Sequence, residues 1–258
     1  MNILALIPAR MDSTRFPGKP LAKILDKPMI GHVYDQVRKN TSLSSTFVAT
    51  CDNEIVDYIE SIGGSCVMTS SHHKRATDRC AEALEILEKK EKIKYDIIVM
   101  VQGDEPMVNP KMISEGLQPI LNNSTIQITN LMGKIMTDVE FRDPNVVKVV
   151  CDIEGNALYF SREPIPSQKN ITNTNIFKQY GIIIFQRDFL LEYLGMNSTP
   201  LEKVESIDML RIVENNIPLK MVFSDYNIYT VDTPTELTQV EDIMRSQITE
   251  PKNKSTIT

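Results

Sequence analysis

Arg10, Arg15 and Lys19 crowd into one early segment, LALIPARMDSTRFPGKPL, which runs from Leu4 to Leu21. Pro8, Pro17, Gly18 and Pro20 keep the second part of that segment from continuing as a regular helix or strand. Two guanidinium groups and an ammonium in one loop suit a small, densely charged anion. Arginine grips phosphate oxygens in pairs, lysine adds a compact point charge, and backbone amides near Gly18 would add donors. Two acidic turns complement this cluster. VQGDEP places Asp104 and Glu105 just past an apolar run, and YTVDTPTEL places Asp232 before a helix start with Thr233, Pro234 and Glu236 in capping-box order. Mg²⁺ takes one or two carboxylates together with waters and phosphate oxygens, so Asp104 and Asp232 match a cation that travels with a polyphosphate. Each, read alone, also fits an ordinary turn or helix-start acid.

The elements that must position these groups alternate. Asn2–Ile7 is a continuous apolar run that fits a buried parallel strand. KPMIGHVYDQVRKN has helical spacing at Ile30, Val33, Tyr34 and Val37, with Pro28 suited to the first turn. TFVATCDNEIVDYIESIGG reads as strand, acidic turn, helix and glycine stop, and SCVMTS as a further strand. ATDRCAEALEILEKKEKIK reads as a helix capped by Thr77, and YDIIVMVQGDEP as a strongly apolar strand. Short alternation of this kind predicts βαβ units and a doubly wound sheet, with ligands beyond the carboxyl ends of its strands. The second half is mixed. VVKVVCDIEGNALYFSR predicts a hairpin turning at Glu154-Gly155, YGIIIFQ a strand, and PLEKVESIDMLRIVENN one long amphipathic helix. LKMVFS and NIYTVD read as late strands, TPTELTQVEDIMRSQ as a closing helix, and TEPKNKSTIT as a frayed polar end.

Composition removes several alternatives. The 258 residues, 41% hydrophobic and 24% charged, can bury a large α/β core. A net charge of −6 argues against a broad nucleic-acid or anionic-membrane surface, which makes the cationic loop a local feature. Cys51, Cys66, Cys80 and Cys151 are scattered without metal spacing and read as reduced thiols. With no signal peptide or membrane-length apolar run, the chain reads as soluble and cytoplasmic. The loop is neither a Walker A motif, since Pro20 follows Gly18-Lys19, nor G-x-G-x-x-G, since Pro8, Ala9 and Arg10 stand where glycines belong. A nicotinamide-dependent oxidoreductase would need those glycines, and only an acid at the end of the second strand, Asp52, is present.

IPARMDSTRFPGKPL resembles the signature of the nucleotide-sugar pyrophosphorylase superfamily, in its CMP-Kdo synthetase (3-deoxy-manno-octulosonate cytidylyltransferase) branch. KPMIGHVYDQ, VATCDNEIVDYIESIGGSCVMTS, TDR, VMVQGDEPMV, DPNVVKVVCD, ALYFSREPIP, PLEKVE and VDTPTEL follow in the family's order and cover nearly the whole chain. The resemblance implies a Rossmann-like three-layer α/β/α fold with a mostly parallel mixed sheet and a smaller hairpin-containing region for dimerisation and sugar binding. It implies one nucleotidyltransferase domain over 1–246, its nucleotide part mainly 1–125 and its sugar and dimer part mainly 126–215, then a polar tail over 247–258. The implied reaction is attack of a sugar acid's anomeric hydroxyl on the α-phosphate of CTP, with release of pyrophosphate, for lipopolysaccharide or capsule synthesis. In that reading Arg10, Lys19 and Asp104 are catalytic, and Ala9, Arg10, Arg15, Lys19, Arg75, Thr77 and Arg79 bind the nucleotide. Gln102, Arg162, Gln179, Glu205 and Met209 face the sugar, Asp104 and Asp232 hold Mg²⁺, and the protein is a homodimer. His32 falls inside a helix and reads as packed rather than catalytic.

The likeness breaks at TSSHHKRATDR. The family pattern has Asp, a polar residue, Ser and Gly where this chain has His72, Lys74, Arg75 and Ala76, and the Ser-Gly pair lies against the nucleotide in the family. Gln179 stands for a family histidine and Met209 for a glutamine, while Glu205 and Arg211 are kept. The Gln179 and Met209 departures fall on the sugar side and raise a modified acceptor, such as an amino analogue of Kdo, while the altered HHKRA stretch raises a non-catalytic nucleotide-sugar-binding homologue.

Overall fold

The computed structural model describes residues 1–13, 15–169 and 175–249. In chain order the first half holds β1 (Ile3–Pro8), β2 (Lys23–Ile24), β3 (Lys27–Pro28), α1 (Met29–Val37), β4 (Ser45–Thr50), α2 (Asn53–Ser61), β5 (Cys66–Met68), α3 (Ala76–Glu91) and β6 (Ile97–Val101). Then follow α4 (Pro110–Asn122), β7 (Ile128–Lys134), α5 (Asp138–Arg142), β8 (Lys148–Cys151), β9 (Ala157–Ser161) and β10 (Phe177–Gln186). The chain continues through α6 (Arg187–Gly195), α7 (Pro200–Glu205), α8 (Leu210–Glu214), β11 (Lys220–Phe223) and α9 (Pro234–Thr249).

One mixed sheet runs in the order β11-β7-β10-β6-β1-β4-β5. β1 lies parallel to β4 and β6, and β4 parallel to β5, while β10 enters antiparallel between β6 and β7. Side chains of successive strand residues point to opposite faces, so β1 feeds two cores. Leu4 and Leu6 pack with Leu84, Met100 and Phe185 on one face, whereas Ala5 and Ile7 pack with Ile30, Val99 and Val101 on the other. That double burial explains why the strand is apolar without alternation. The sheet with helices on both faces is the expected three-layer α/β/α arrangement. None of the described helices is long and apolar enough to cross a membrane.

The hairpin at Glu154-Gly155 is present, with β8 antiparallel to β9, and β8 also joins β10. Several other expectations need correction. The N-cap of α3 is Arg75, two residues before Thr77, and Thr77 sits inside the helix with its hydroxyl turned to Asp208. Asn227–Asp232 is irregular rather than a strand, although Val231 N still donates to Asp104 O at 2.9 Å. α9 continues through Thr249, and the rest of the expected polar tail, 250–258, lies outside the described residues. α4 carries no sequence expectation because Pro119 interrupts its helical pattern from within.

The single long helix over 200–216 is in fact two. Ser206 adopts a left-handed conformation (φ 55°, ψ 45°) and ends α7, and α8 starts at Leu210. A buried ion pair staples the two pieces. Arg211 donates through Nε and Nη2 to Glu202 at 2.8 and 2.6 Å, both side chains being nearly inaccessible, with the guanidinium 4.4 Å from the Tyr193 ring centre. Burial alone would raise the Glu202 pKa, but the hydrogen bonds from Arg211 and Thr199 N outweigh it and the net shift is downward. A depressed carboxyl stabilises the fold above its unfolded value and loses that contribution as pH falls through the folded one. Glu202→Gln is therefore expected to cost about 3 kcal/mol at pH 7. The deficit should shrink below roughly pH 4. Denaturant melts across pH check this, and a deficit constant down to pH 3 would contradict it.

Candidate active site

The carboxyl ends of β1 and β6 lie side by side, and the loops leaving them build the site. The first loop folds back tightly. Gly18 takes φ 75°, its N–H donates to Met11 O, and Lys19 N donates to Phe16 O. The amides near Gly18 are therefore spent within the turn, contrary to their expected use on an anion. Asp52 explains how the loop is tethered, since its Oδ2 accepts Met11 N at 2.7 Å. The second loop follows Val101. Gly103 packs so close that a Cβ there would stand 2.9 Å from Pro8 O, which brings the two loops into contact.

Lys19 is the meeting point. Its Nζ donates to Asp104 Oδ2 at 2.8 Å and to Asp232 Oδ1 at 3.0 Å. Burial pulls its pKa down, but the two carboxylates push harder and the net shift is upward, so the group stays an ammonium. Arg15 reaches the same Asp232 oxygen at 3.1 Å and donates to Asn145 Oδ1 at 2.6 Å. Asp232 is held by the capping arrangement read in the sequence: its N–H and that of Thr233 donate to Glu236 Oε2, and Glu236 N donates to Thr233 Oγ1. Glu105 turns the other way, into the protein. Gly181 N donates to its Oε1 at 2.6 Å, and burial, followed by the neighbouring Asp104 charge, pushes its pKa up to about 8.

Two connected cavities open here. A smaller pocket of about 300 Å³ holds Lys19 and Arg79, and a cleft of about 1080 Å³ holds Arg162, Gln179, Thr77 and Met209. Arg10, Arg15, Arg75, Gln102, Asp104 and Asp232 line both. The structure thus brings the cations and both aspartates to one wall. Arg79 is almost fully buried, donates through Nη1 to Thr69 Oγ1 and Ser70 O, and has an Nη2 without a hydrogen-bond partner at the smaller pocket. Such a donor is costly unless a ligand completes it. Ala9 lines the smaller pocket, and its N–H is taken by Ala49 O.

On the cleft side, Gln179 Nε2 donates to Asn130 Oδ1 at 2.6 Å, and Met209 is buried at the cleft floor. Glu205 does not line the cleft. Its carboxylate accepts Ser161 Oγ, Tyr159 Oη and Arg162 N, and its carbonyl accepts Arg162 Nε, so it holds Arg162 instead of facing a ligand. Arg211, in the buried pair with Glu202, is likewise structural. Sequence reasoning missed Asn145, Lys178 with its partner Glu140, and the pair Arg75–Asp208. Their partners lie far away in sequence, and no local spacing signals them.

The carboxylate pair fits a hard divalent cation. Asp104 Oδ1 is buried without a hydrogen-bond partner, and Asp104 shares the single Lys19 ammonium with Asp232. Among the described residues no group of three or more His, Cys, Asp or Glu could hold a metal. Two carboxylates completed by phosphate oxygens and water are a donor set for Mg²⁺ rather than for a self-contained protein cage.

An open α/β sheet with a cationic pocket, paired acids and an adjoining cleft is the architecture of an enzyme that joins a nucleotide to a second substrate. Residues 4–222 match the family model described as cytidylyltransferase. Among curated relatives, the 3-deoxy-manno-octulosonate cytidylyltransferase of Trichlorobacter lovleyi is 42% identical, over 95% of this chain and 99% of its own. That of Geobacter metallireducens is 41% identical over 96% and 100%. A solved structure of CMP:2-keto-3-deoxy-manno-octonic acid synthetase complexed with CTP superposes with a TM-score of 0.86 at 33% identity, covering 96% of this chain and all of that one. The chain belongs to the cytidylyltransferase family, in the group of the 3-deoxy-manno-octulosonate cytidylyltransferases. A 4-diphosphocytidyl-2C-methyl-D-erythritol synthase structure from Anaerococcus prevotii, 10% identical with a TM-score of 0.60, shares the fold.

Asp104→Asn is expected to abolish nucleotidyl transfer while circular dichroism and melting temperature stay close to those of the parent chain. Turnover within about twofold of the parent would contradict a role for Asp104 at the reacting centre.

Proposed function

We propose that this protein transfers CMP from CTP to the anomeric hydroxyl of a 3-deoxy ulosonic acid of the Kdo type, releasing pyrophosphate, with Mg²⁺ as cofactor. The observation that carries the reading is the common wall: the residues that line both cavities include two arginines of the β1 loop, Gln102 and both aspartates. A triphosphate in the smaller pocket and a sugar acid in the cleft would meet there. Names of relatives at about 40% identity over nearly the whole chain support the same substrates.

The sugar hydroxyl oxygen forms a bond to the α-phosphorus as the bond to the β-phosphate oxygen breaks, and the hydroxyl proton passes to solvent. Arg10, Arg15 and Lys19 meet the charge that grows on the departing pyrophosphate, the kind of fixed electrostatic stabilisation that gains strength in a water-poor site. Arg79 supplies its buried donor to the nucleotide, and Gln102 and Arg162 position the acceptor against it. Asp104 and Asp232 would hold Mg²⁺, which when bound neutralises phosphate charge and lowers the pKa of a coordinated hydroxyl. His32 stays outside this chemistry: its Nε2 lies 3.0 Å from Ile24 O, and burial lowers its pKa.

The nucleotide part mainly spans 1–125, and the sugar and dimer part 126–215. Ile153, Leu158 and Val204 are strongly exposed on the β8–β9 hairpin and α7, which supports a homodimer formed through that region. Four free cysteines accord with a cytoplasmic setting. Pyrophosphate release should appear with CTP plus a Kdo-type acid and Mg²⁺, and fall to background with ATP or GTP or when the metal is chelated. Nucleotide binding without any release from a panel of sugar acids would contradict the reading.

A further inference from the structure

Lys148 opens β8 and is fully buried, a rare place for a lysine. Among the described residues no carboxylate pairs with it; its Nζ donates instead to three backbone carbonyls. These are Asp143 O at 2.9 Å, Val146 O at 2.7 Å and Arg162 O. An ammonium has three protons on one atom, so this nest uses all of them, and no other side chain offers three donors from a single point. The base of the side chain is held on both sides, since Lys148 pairs with Ser161 of β9 and with Lys178 of β10.

The loop between α5 and β8 hands out its acceptors one by one. The carbonyls of Asp143 and Val146 go to Lys148, Pro144 O accepts Arg162 Nη1 at 2.9 Å, and Asn145 Oδ1 accepts Arg15 Nη1 at 2.6 Å. Asn145 N donates back to Asp143 Oδ1 at 2.8 Å, which closes the turn on itself. Arg162 is therefore gripped from three sides: its carbonyl by Lys148, its N–H and Nε by Glu205, and its Nη1 by Pro144. Among the described residues nothing accepts from its Nη2, and the residue borders the cleft. Where that nitrogen points depends on where the 143–146 loop stands, and the loop stands on Lys148. Lys148 itself lines neither cavity, so its influence on a ligand runs through the arginine.

We propose that Lys148 is a positioning residue for the acceptor: its ammonium gathers the 143–146 loop and the Arg162 carbonyl into one unit and so aims the Arg162 guanidinium into the cleft. Resting on the function inferred above, this brings into the reaction a buried lysine that touches neither substrate. Action at this remove is sufficient, because misplacing a substrate-holding group by about 1 Å can cost on the order of 100-fold.

The test uses the full chain with CTP, Mg²⁺ and Kdo as the acceptor probe. The acceptor KM is measured, together with calorimetric CTP affinity in the absence of acceptor. Lys148→Met fills much the same space without a donor and should raise the acceptor KM by about tenfold or more. CTP affinity should stay within about twofold of the parent. Lys148→Gln returns an N–H donor to that end and should give a smaller rise in the same direction. It carries the test if circular dichroism shows Lys148→Met to be misfolded. Arg162→Ala should raise the acceptor KM at least as far as Lys148→Met does. Adding Lys148→Met to it should cost less than about twofold more, the non-additivity expected of a residue that acts through the arginine. The proposal is overturned by an acceptor KM within about twofold of the parent in a folded variant, by CTP affinity that falls as far as the acceptor KM rises, or by effects that multiply in the double variant. A parent chain that releases no pyrophosphate from CTP and Kdo overturns the proposed function itself, and this assignment with it.

Discussion

One ammonium held between two carboxylates governs the site. Without Lys19, Asp104 and Asp232 would be two half-buried like charges facing the same pocket, each raising the energy of the other. A unit charge pair near 4 Å is worth about 4 kcal/mol in a protein-surface environment, enough to set which groups may share a wall. The fold is arranged around this constraint. β1 and β6 must be neighbours so that their loops touch, Gly103 must lack a side chain so that they touch closely, and α9 must present its capped N-terminus so that Asp232 completes the triangle. A polyphosphate and its cation can enter by redistributing charges already gathered there, and no unpaired group has to be imported from solvent.

The cleft side is governed by a different device, a short loop that would otherwise have been helix. The left-handed Ser206 interrupts the run between α7 and α8, and the interruption turns Glu205 toward β9 and Asp208 toward α3. The buried Glu202–Arg211 pair keeps the two helical pieces in register while the loop between them departs from helical geometry. Backbone strain of this sort is stable where surrounding contacts over-determine it, as the three side-chain anchors do here.

The wall that carries Lys19, Asp104 and Asp232 was legible in the sequence to a large extent. A continuous apolar run at Asn2–Ile7, a proline-broken cationic loop and a capping box after Asp232 are all local signals, and each led to the right neighbourhood. What failed there also failed locally: the amides near Gly18 close a turn on Met11 and Phe16, which residue type alone does not reveal. The cleft side was read less well because its logic is non-local. Glu205 faces Arg162 rather than a ligand, Arg211 serves the core, and Asn145 meets Arg15 across 130 residues of chain. Amphipathic spacing over 200–216 predicts one helix correctly in pattern and wrongly in continuity, since tertiary hydrogen bonds overrode the propensity.

Crystals of the protein grown with CTP and Mn²⁺, examined by anomalous scattering, would examine the shared wall most directly. The account predicts a manganese peak on Asp104 and Asp232, the triphosphate among Arg10, Arg15 and Lys19, and the Lys19 ammonium drawn off at least one carboxylate. A triphosphate bound elsewhere, with Lys19 still bridging both acids and no metal on either, would contradict it.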